Sequence, residues 1–223
     1  MVTSEKEGDS RPAPGLTPRR GGARFVLLAC CATHLVTDGL VNALFPLLPL
    51  IALDLQLSYA AVGALRTAVR SSSSLLQLPV GFLAEWLPET ALLGGGMLWM
   101  SLGFAAMAAA TGFGPLLVLM FGAGVGGSAQ HPIGTAIVSK LYDSGGRGAA
   151  VSSLNFSGDL GKVIFPALGG VVALTFGWRG AMLVLGALGI VVSVGYAMSV
   201  RKLVGATRPT RSNGEKSKGW GIR

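Results

Sequence analysis

Charged side chains are scarce in this chain. Asp, Glu, Lys and Arg make up 13% of its 223 residues, against about a quarter in an average soluble domain. An ordinary water-soluble globule is excluded. Cysteine is nearly missing too: Cys30 and Cys31 are adjacent and have no third partner, so no disulfide framework is available. Two histidines beside that pair supply no zinc-ligand spacing, and no metal or cofactor is expected. The chain has no G-x-x-x-x-G-K-[ST] phosphate loop, no serine-hydrolase elbow and no H-E-x-x-H. ATP hydrolysis by this chain and soluble-enzyme chemistry are not expected. A membrane-embedded enzyme lacks its nucleophile or metal constellation.

What is present is apolar length. Hydrophobic residues make up 51% of the chain. A bilayer crossing needs about 20 of them in a row. Six stretches qualify: Phe25 to Leu53, Tyr59 to Leu83, Ala91 to Thr111, Pro115 to Ser139, Ala149 to Phe176 and Ala181 to Val200. Glycine, at 34 residues, suits helices that pack closely in lipid. The expected fold is an all-α membrane protein with six transmembrane helices. The apolar run after Arg24 is too long for a signal-peptide core and reads as a retained helix.

The net charge of +8 raises the question of nucleic acid, and its distribution argues against it. Lys6, Arg11, Arg19, Arg20 and Arg24 lie before the first stretch, Lys140 and Arg147 after the fourth, and most of the rest beyond Val200. Arg179 alone lies on the opposite side. The positive-inside rule then puts both termini in the cytoplasm and the helices in the inner (plasma) membrane, with anionic lipid near the basic tails. Residues 1–24 and 201–223 are polar and read as disordered tails.

Charge inside an apolar helix is costly and marks a functional candidate. His34 and Asp38 are four residues apart on one helical face near mid-bilayer, as are Arg66 and Arg70 in the second stretch. Gln77 continues a polar lining. His131 precedes Pro132, and Asn155, Asp159 and Lys162 share a face of the fifth stretch. Arginine stays charged, so Arg66 and Arg70 suit an anionic solute, or hold Asp38 ionised. Asp38 and His34 are candidates for a coupling proton. The bland alternative is an inert network in which Asp38 pairs with an arginine and Asp159 with Lys162 or another neighbour.

Several segments resemble the N-terminal half of a major facilitator superfamily transporter, and more locally the fosmidomycin-resistance type of efflux protein. They are His34-Leu-Val-Thr-Asp38, Leu44-Phe-Pro-Leu-Leu-Pro-Leu50, Leu57-Ser-Tyr-Ala-Ala-Val-Gly63, Ser74-Leu-Leu-Gln-Leu-Pro-Val-Gly-Phe82 and Gly127-Ser-Ala-Gln-His-Pro132. The run Gly161-Lys-Val-Ile-Phe165-Pro166-Ala-Leu-Gly169-Gly170 resembles the superfamily's antiporter motif, with Phe165 in place of a glycine. Gly81-Phe-Leu-Ala-Glu85-Trp86-Leu-Pro-Glu89 resembles its gating loop without the basic cluster. The resemblance implies transport of a small organic solute, proton-coupled efflux included, by one half of a two-half fold. It implies a truncated or split product, a homodimer, or pairing with a separate second half. A non-transporting remnant or accessory bundle is the alternative.

Overall fold

A computed structural model describes residues 20–142 and 144–204, with side chains over 22–142 and 145–200. The elements among them are helices: α1 Arg20–Asp54, α2 Tyr59–Leu75, α3 Gln77–Leu83, α4 Glu89–Met107, α5 Phe113–Gly127, α6 Gln130–Leu141 and α7 Ser144–Val204. The expected tails therefore begin further out: α1 already runs through Arg20, and α7 continues to Val204. The remainder of both tails, and Asp143 in the expected loop after α6, lie outside the described residues.

Two of the expected helices are divided, and proline explains both divisions. A proline has no N–H for the carbonyl four residues back, and its ring crowds that carbonyl. Pro79 is four residues after Leu75, where α2 ends; Pro132 is four residues after Ser128, where α5 has just ended. The Ser128 hydroxyl turns back to the Val125 carbonyl at 2.6 Å. By contrast, α1 carries Pro46 and Pro49, and α7 carries Pro166, without a helix end. Phe165, in the motif's glycine position, therefore accompanies a continuous helix rather than a tight bend.

Among the described residues, four stretches are long and apolar enough to cross a membrane: Gly22–Asp54, Glu89–Met107, Phe113–Leu141 and Gly145–Val200. The six expected crossings differ from these four for two reasons. The Tyr59–Leu83 run is interrupted at Leu76 and carries two arginines. The last stretch, 56 residues long, contains two expected crossings. A straight helix of that length would extend about 84 Å, far beyond a hydrocarbon core of about 30 Å. It turns instead at Gly177, whose φ of 67° and ψ of 177° lie in a region open essentially to glycine alone.

The helix α1 packs mainly against α7, and α4 against α7 and α5. Their apolar faces meet in a core of Leu40, Leu44, Leu47, Phe104, Met120 and Leu185, among others. The outer surface is apolar as well: Leu174, Phe176, Val118 and Trp86 are exposed. In water such a surface would aggregate; in a bilayer it is the face that meets lipid.

Beside the Gly177 turn, Arg179 ties three helices together. Its Nη1 donates to the Ala108 and Ala110 carbonyls at 2.6 and 2.8 Å, the orphan acceptors at the end of α4. Its Nη2 reaches Asp54 Oδ2 at 3.4 Å, and the indole of Trp178 donates to the same oxygen at 3.0 Å. Arg179→Ala is expected to cost about 2 kcal/mol, the scale of hydrogen bonds from a charged donor. Thermal unfolding of the purified chain in detergent measures it; an unchanged midpoint would reject the role.

Candidate functional site

The face of α1 that carries His34 and Asp38 continues one turn at a time through Asn42 to Phe45. His34 and Asp38 are buried. His34 Nε2 lies 3.5 Å from Asp38 Oδ2, yet neither ring nitrogen of His34 makes a hydrogen bond. The amide of Asn42 donates to the Asp38 backbone carbonyl at 2.7 Å.

Two other helices converge on Asp38. From α7, Lys162 Nζ lies 3.3 Å from Asp38 Oδ2 and donates to Asp159 Oδ1 at 2.8 Å, so one ammonium is shared by two carboxylates. From α6, His131 Nε2 lies 3.8 Å from Asp38 Oδ1, and its half-exposed ring meets that of His34 edge to face with centroids 5.0 Å apart. The close approach of α7 makes this possible. A Cβ at Gly161 would fall on the Leu35 carbonyl oxygen, and one at Gly158 would lie 2.8 Å from His34 Nε2 and 2.9 Å from Asp38 Oδ2. Only hydrogen at 161 lets the two backbones come near enough for Lys162 to reach α1, whereas a Cβ at 158 would displace the His34 and Asp38 side chains.

The arginines form a second group. Arg66 Cζ sits 4.3 Å above the Phe45 ring centroid and Arg70 Cζ 5.5 Å from it, distances at which a cation is attracted to an aromatic face. Arg70 Nη2 approaches Asn42 Oδ1 at 3.5 Å. Both arginines are exposed. This corrects the expected arginine partner of Asp38: the charged side chains at Asp38 come from α6, α7 and its own helix. The physical reason is packing. The helix α1 makes its main contact with α7 and only a slight one with α2, and the two guanidinium groups are held about two turns beyond Asp38 by Phe45.

The remaining candidates are less tightly joined. Asn155 is exposed one turn before Asp159, itself exposed. Gln77 opens α3, Gly81 lies within it, and Glu85 follows it in an exposed turn. Among the described residues no hydrogen bond or ion pair ties the Gln77 or Glu85 side chain to either group. Glu89, at the start of α4, instead accepts from Lys140 Nζ at 2.7 Å. Pro166 is half-buried in α7. A Cβ at Gly169 would meet Leu185 at 3.2 Å, whereas Gly170 faces open space. Thr37, a polar neighbour expected from the sequence of the first helix, has a buried Oγ1 without a hydrogen-bond partner, and sequence reasoning passed over Gln130, whose buried Nε2 and Oε1 also lack one. Gln130 was visible as a polar residue beside His131; Thr37 sits beside Asp38.

Long apolar helices with a lipid-facing surface and a shared charge cluster near the middle of α1 define an integral membrane protein. A model of the Major Facilitator Superfamily matches residues 30–222. The chain belongs to this superfamily of transporters. The probable L-galactonate transporter of Escherichia coli K12 is 28% identical over 148 residues, 66% of this chain and 33% of that protein. The fosmidomycin resistance protein of the same strain is 28% identical over 177 residues, 79% of this chain and 43% of that protein. An uncharacterized MFS-type transporter of Bacillus subtilis 168 is 24% identical over 160 residues, 71% of this chain and 38% of that protein. The chain thus spans less than half the length of the curated relatives it matches.

Proposed function

We propose that this chain crosses the inner (plasma) membrane six times, with both termini cytoplasmic, as one half of a secondary transporter. It moves a small organic solute by alternating access, in the efflux direction and driven by the proton gradient. A second six-helix unit, either another copy or a separate half, covers the face that carries His131, Lys162, Arg66 and Arg70. The observation that carries this reading is the exposure of Lys162, Arg66 and Arg70 on helices whose other exposed residues are largely apolar. Charge left against lipid is costly, whereas charge lining a polar path is not.

The solute is anionic in this reading. Arg66 and Arg70 stand one turn apart over a single ring, and paired guanidinium groups match a carboxylate or a phosphoryl-type oxyanion. L-galactonate, in one relative's name, is a carboxylate. The fosmidomycin resistance protein supports the efflux direction. Lipid vesicles from cells expressing the chain test the whole reading, with and without an imposed proton gradient. Solute accumulation above empty-vector vesicles is expected; none in any assembled form would overturn it.

Arg70→Gln is expected to lower transport at least about tenfold, the value of one hydrogen bond to a charged group, without changing membrane insertion. Equal rates would remove Arg70 from the site. The alternative, a non-transporting bundle, draws on the sharing of Lys162 by Asp38 and Asp159, which also suits a structural tie. It predicts that Arg70→Gln and similar substitutions shift stability alone.

A further inference from the structure

His34, Asp38 and His131 each offer one ligand atom, and these atoms all lie within 4.8 Å of one another. We propose that they form a binding site for one divalent cation of the zinc class, held by two imidazoles and one carboxylate.

The distances argue for it. Metal bonds of about 2.0–2.1 Å in a tetrahedral arrangement leave ligand atoms about 3.3–3.4 Å apart. The two histidine–aspartate separations here are 3.5 and 3.8 Å, to the two oxygens of Asp38, and the set as a whole spans no more than 4.8 Å, so side-chain shifts of about 1 Å around an ion complete the set. The ligand chemistry suits a borderline divalent ion, since imidazole with carboxylate is the donor set of many zinc sites and leaves a position open for water or a solute oxygen.

An independent observation points to a missing partner. His34 is only 3% exposed, and neither ring nitrogen makes a hydrogen bond. A buried imidazole without a partner is uncommon and unfavourable. A metal at Nε2 would satisfy that nitrogen, leaving Nδ1 as the remaining donor. Entry is open on one side, because the His131 side chain is 50% exposed.

Lys162 competes for the same carboxylate. Its ammonium lies 3.3 Å from Asp38 Oδ2, so a divalent ion would meet a positive charge. The lysine has an alternative partner: Asp159 holds it at 2.8 Å. Asp38 can therefore exchange one cation for another. With the metal bound, Lys162 rests on Asp159 alone; without it, Lys162 neutralises Asp38. The site is set to detect or carry a metal ion in exchange for a lysine contact.

The test uses the untagged full chain in detergent, stripped with a chelator and titrated with Zn²⁺ by calorimetry, and with Co²⁺ followed by its visible absorption. One saturable site per chain is expected. His131→Ala, at a half-exposed position that spares the core, is expected to weaken binding at least about tenfold, the scale on which losing even a supporting partner acts. Lys162→Met, which removes the competitor, is expected to tighten it. Absence of saturable binding, or an affinity unaltered by both substitutions, would overturn the proposal. Because the readout is binding and not transport, this result stands or falls apart from the transport reading.

Discussion

Gly161→Val is expected to be the most damaging single substitution in the bundle, costing about 3 kcal/mol or more and removing folded protein from the membrane. The reason is local. A Cβ at position 161 would land on the carbonyl oxygen of Leu35, close to the carbonyl carbon and Cα as well. These are backbone atoms of a helix, so no side-chain rotation relieves the overlap. The two helices must separate along the principal contact of the fold, and separation opens the core that Leu40, Leu44 and Leu47 share with Leu185. Overpacking in an accommodating core costs about 1–3 kcal/mol; a rigid backbone obstacle lies at or above the top of that range. Gly170→Val is the control, because nothing lies within 4 Å of a Cβ there. Thermal unfolding in detergent compares the two. Equal midpoints for both variants would sink the argument that glycine at 161 sets the α1–α7 distance.

That distance also decides how much of the site could be read from sequence. Helical spacing alone put His34 with Asp38, Arg66 with Arg70, and Asp159 with Lys162, because residues four or three apart share a face whatever the tertiary structure. The apolar runs likewise marked the helices, and the elements among the described residues are helical. What spacing cannot supply is which faces meet. His131 lies in α6, remote in sequence from α1, and joined Asp38 only through packing. Lys162 was paired correctly with Asp159, but its second carboxylate sits on another helix. The arginine partner expected for Asp38 followed from charge alone. It failed because charge attraction acts only where packing allows approach, and the glycine at 161 gives that approach to α7. The helix break beside His131 was legible, because the missing N–H of Pro132 frees a backbone carbonyl; the division near Leu76, set in the same way by Pro79, was concealed by apolar length.

The shared lysine leads to the second large effect. Lys162→Met is expected to destabilise the chain by about 2 kcal/mol, and more than Asp159→Asn does. The two carboxylates around Lys162 are unequal. The Asp159 side chain is 69% exposed, whereas that of Asp38 is 11% exposed. Removing the lysine leaves Asp159 with access to its surroundings. It leaves Asp38 buried with only two imidazoles nearby. Breaking a fully buried pair costs about 3–5 kcal/mol through the charge left behind, and an exposed pair contributes about 0–1 kcal/mol. The Lys162 side chain is 45% exposed, which sets the expectation between those limits. Asp159→Asn, by contrast, leaves Lys162 on Asp38 and both charges partnered. If the uncompensated carboxylate is the cause, Asp38→Asn added to Lys162→Met restores most of the loss, because the double variant buries a neutral amide. If Lys162 acts through its methylene packing instead, the second substitution adds to the damage. Zn²⁺ provides the same rescue by another route: a divalent ion at Asp38 replaces the missing ammonium, so its stabilising shift is larger in Lys162→Met than in the parent chain. Thermal midpoints of the four proteins in the double-mutant cycle, each with chelator and with Zn²⁺, separate these outcomes. A cycle with no coupling between positions 38 and 162 would show that the ion pair, despite its 3.3 Å separation, does not hold α1 to α7.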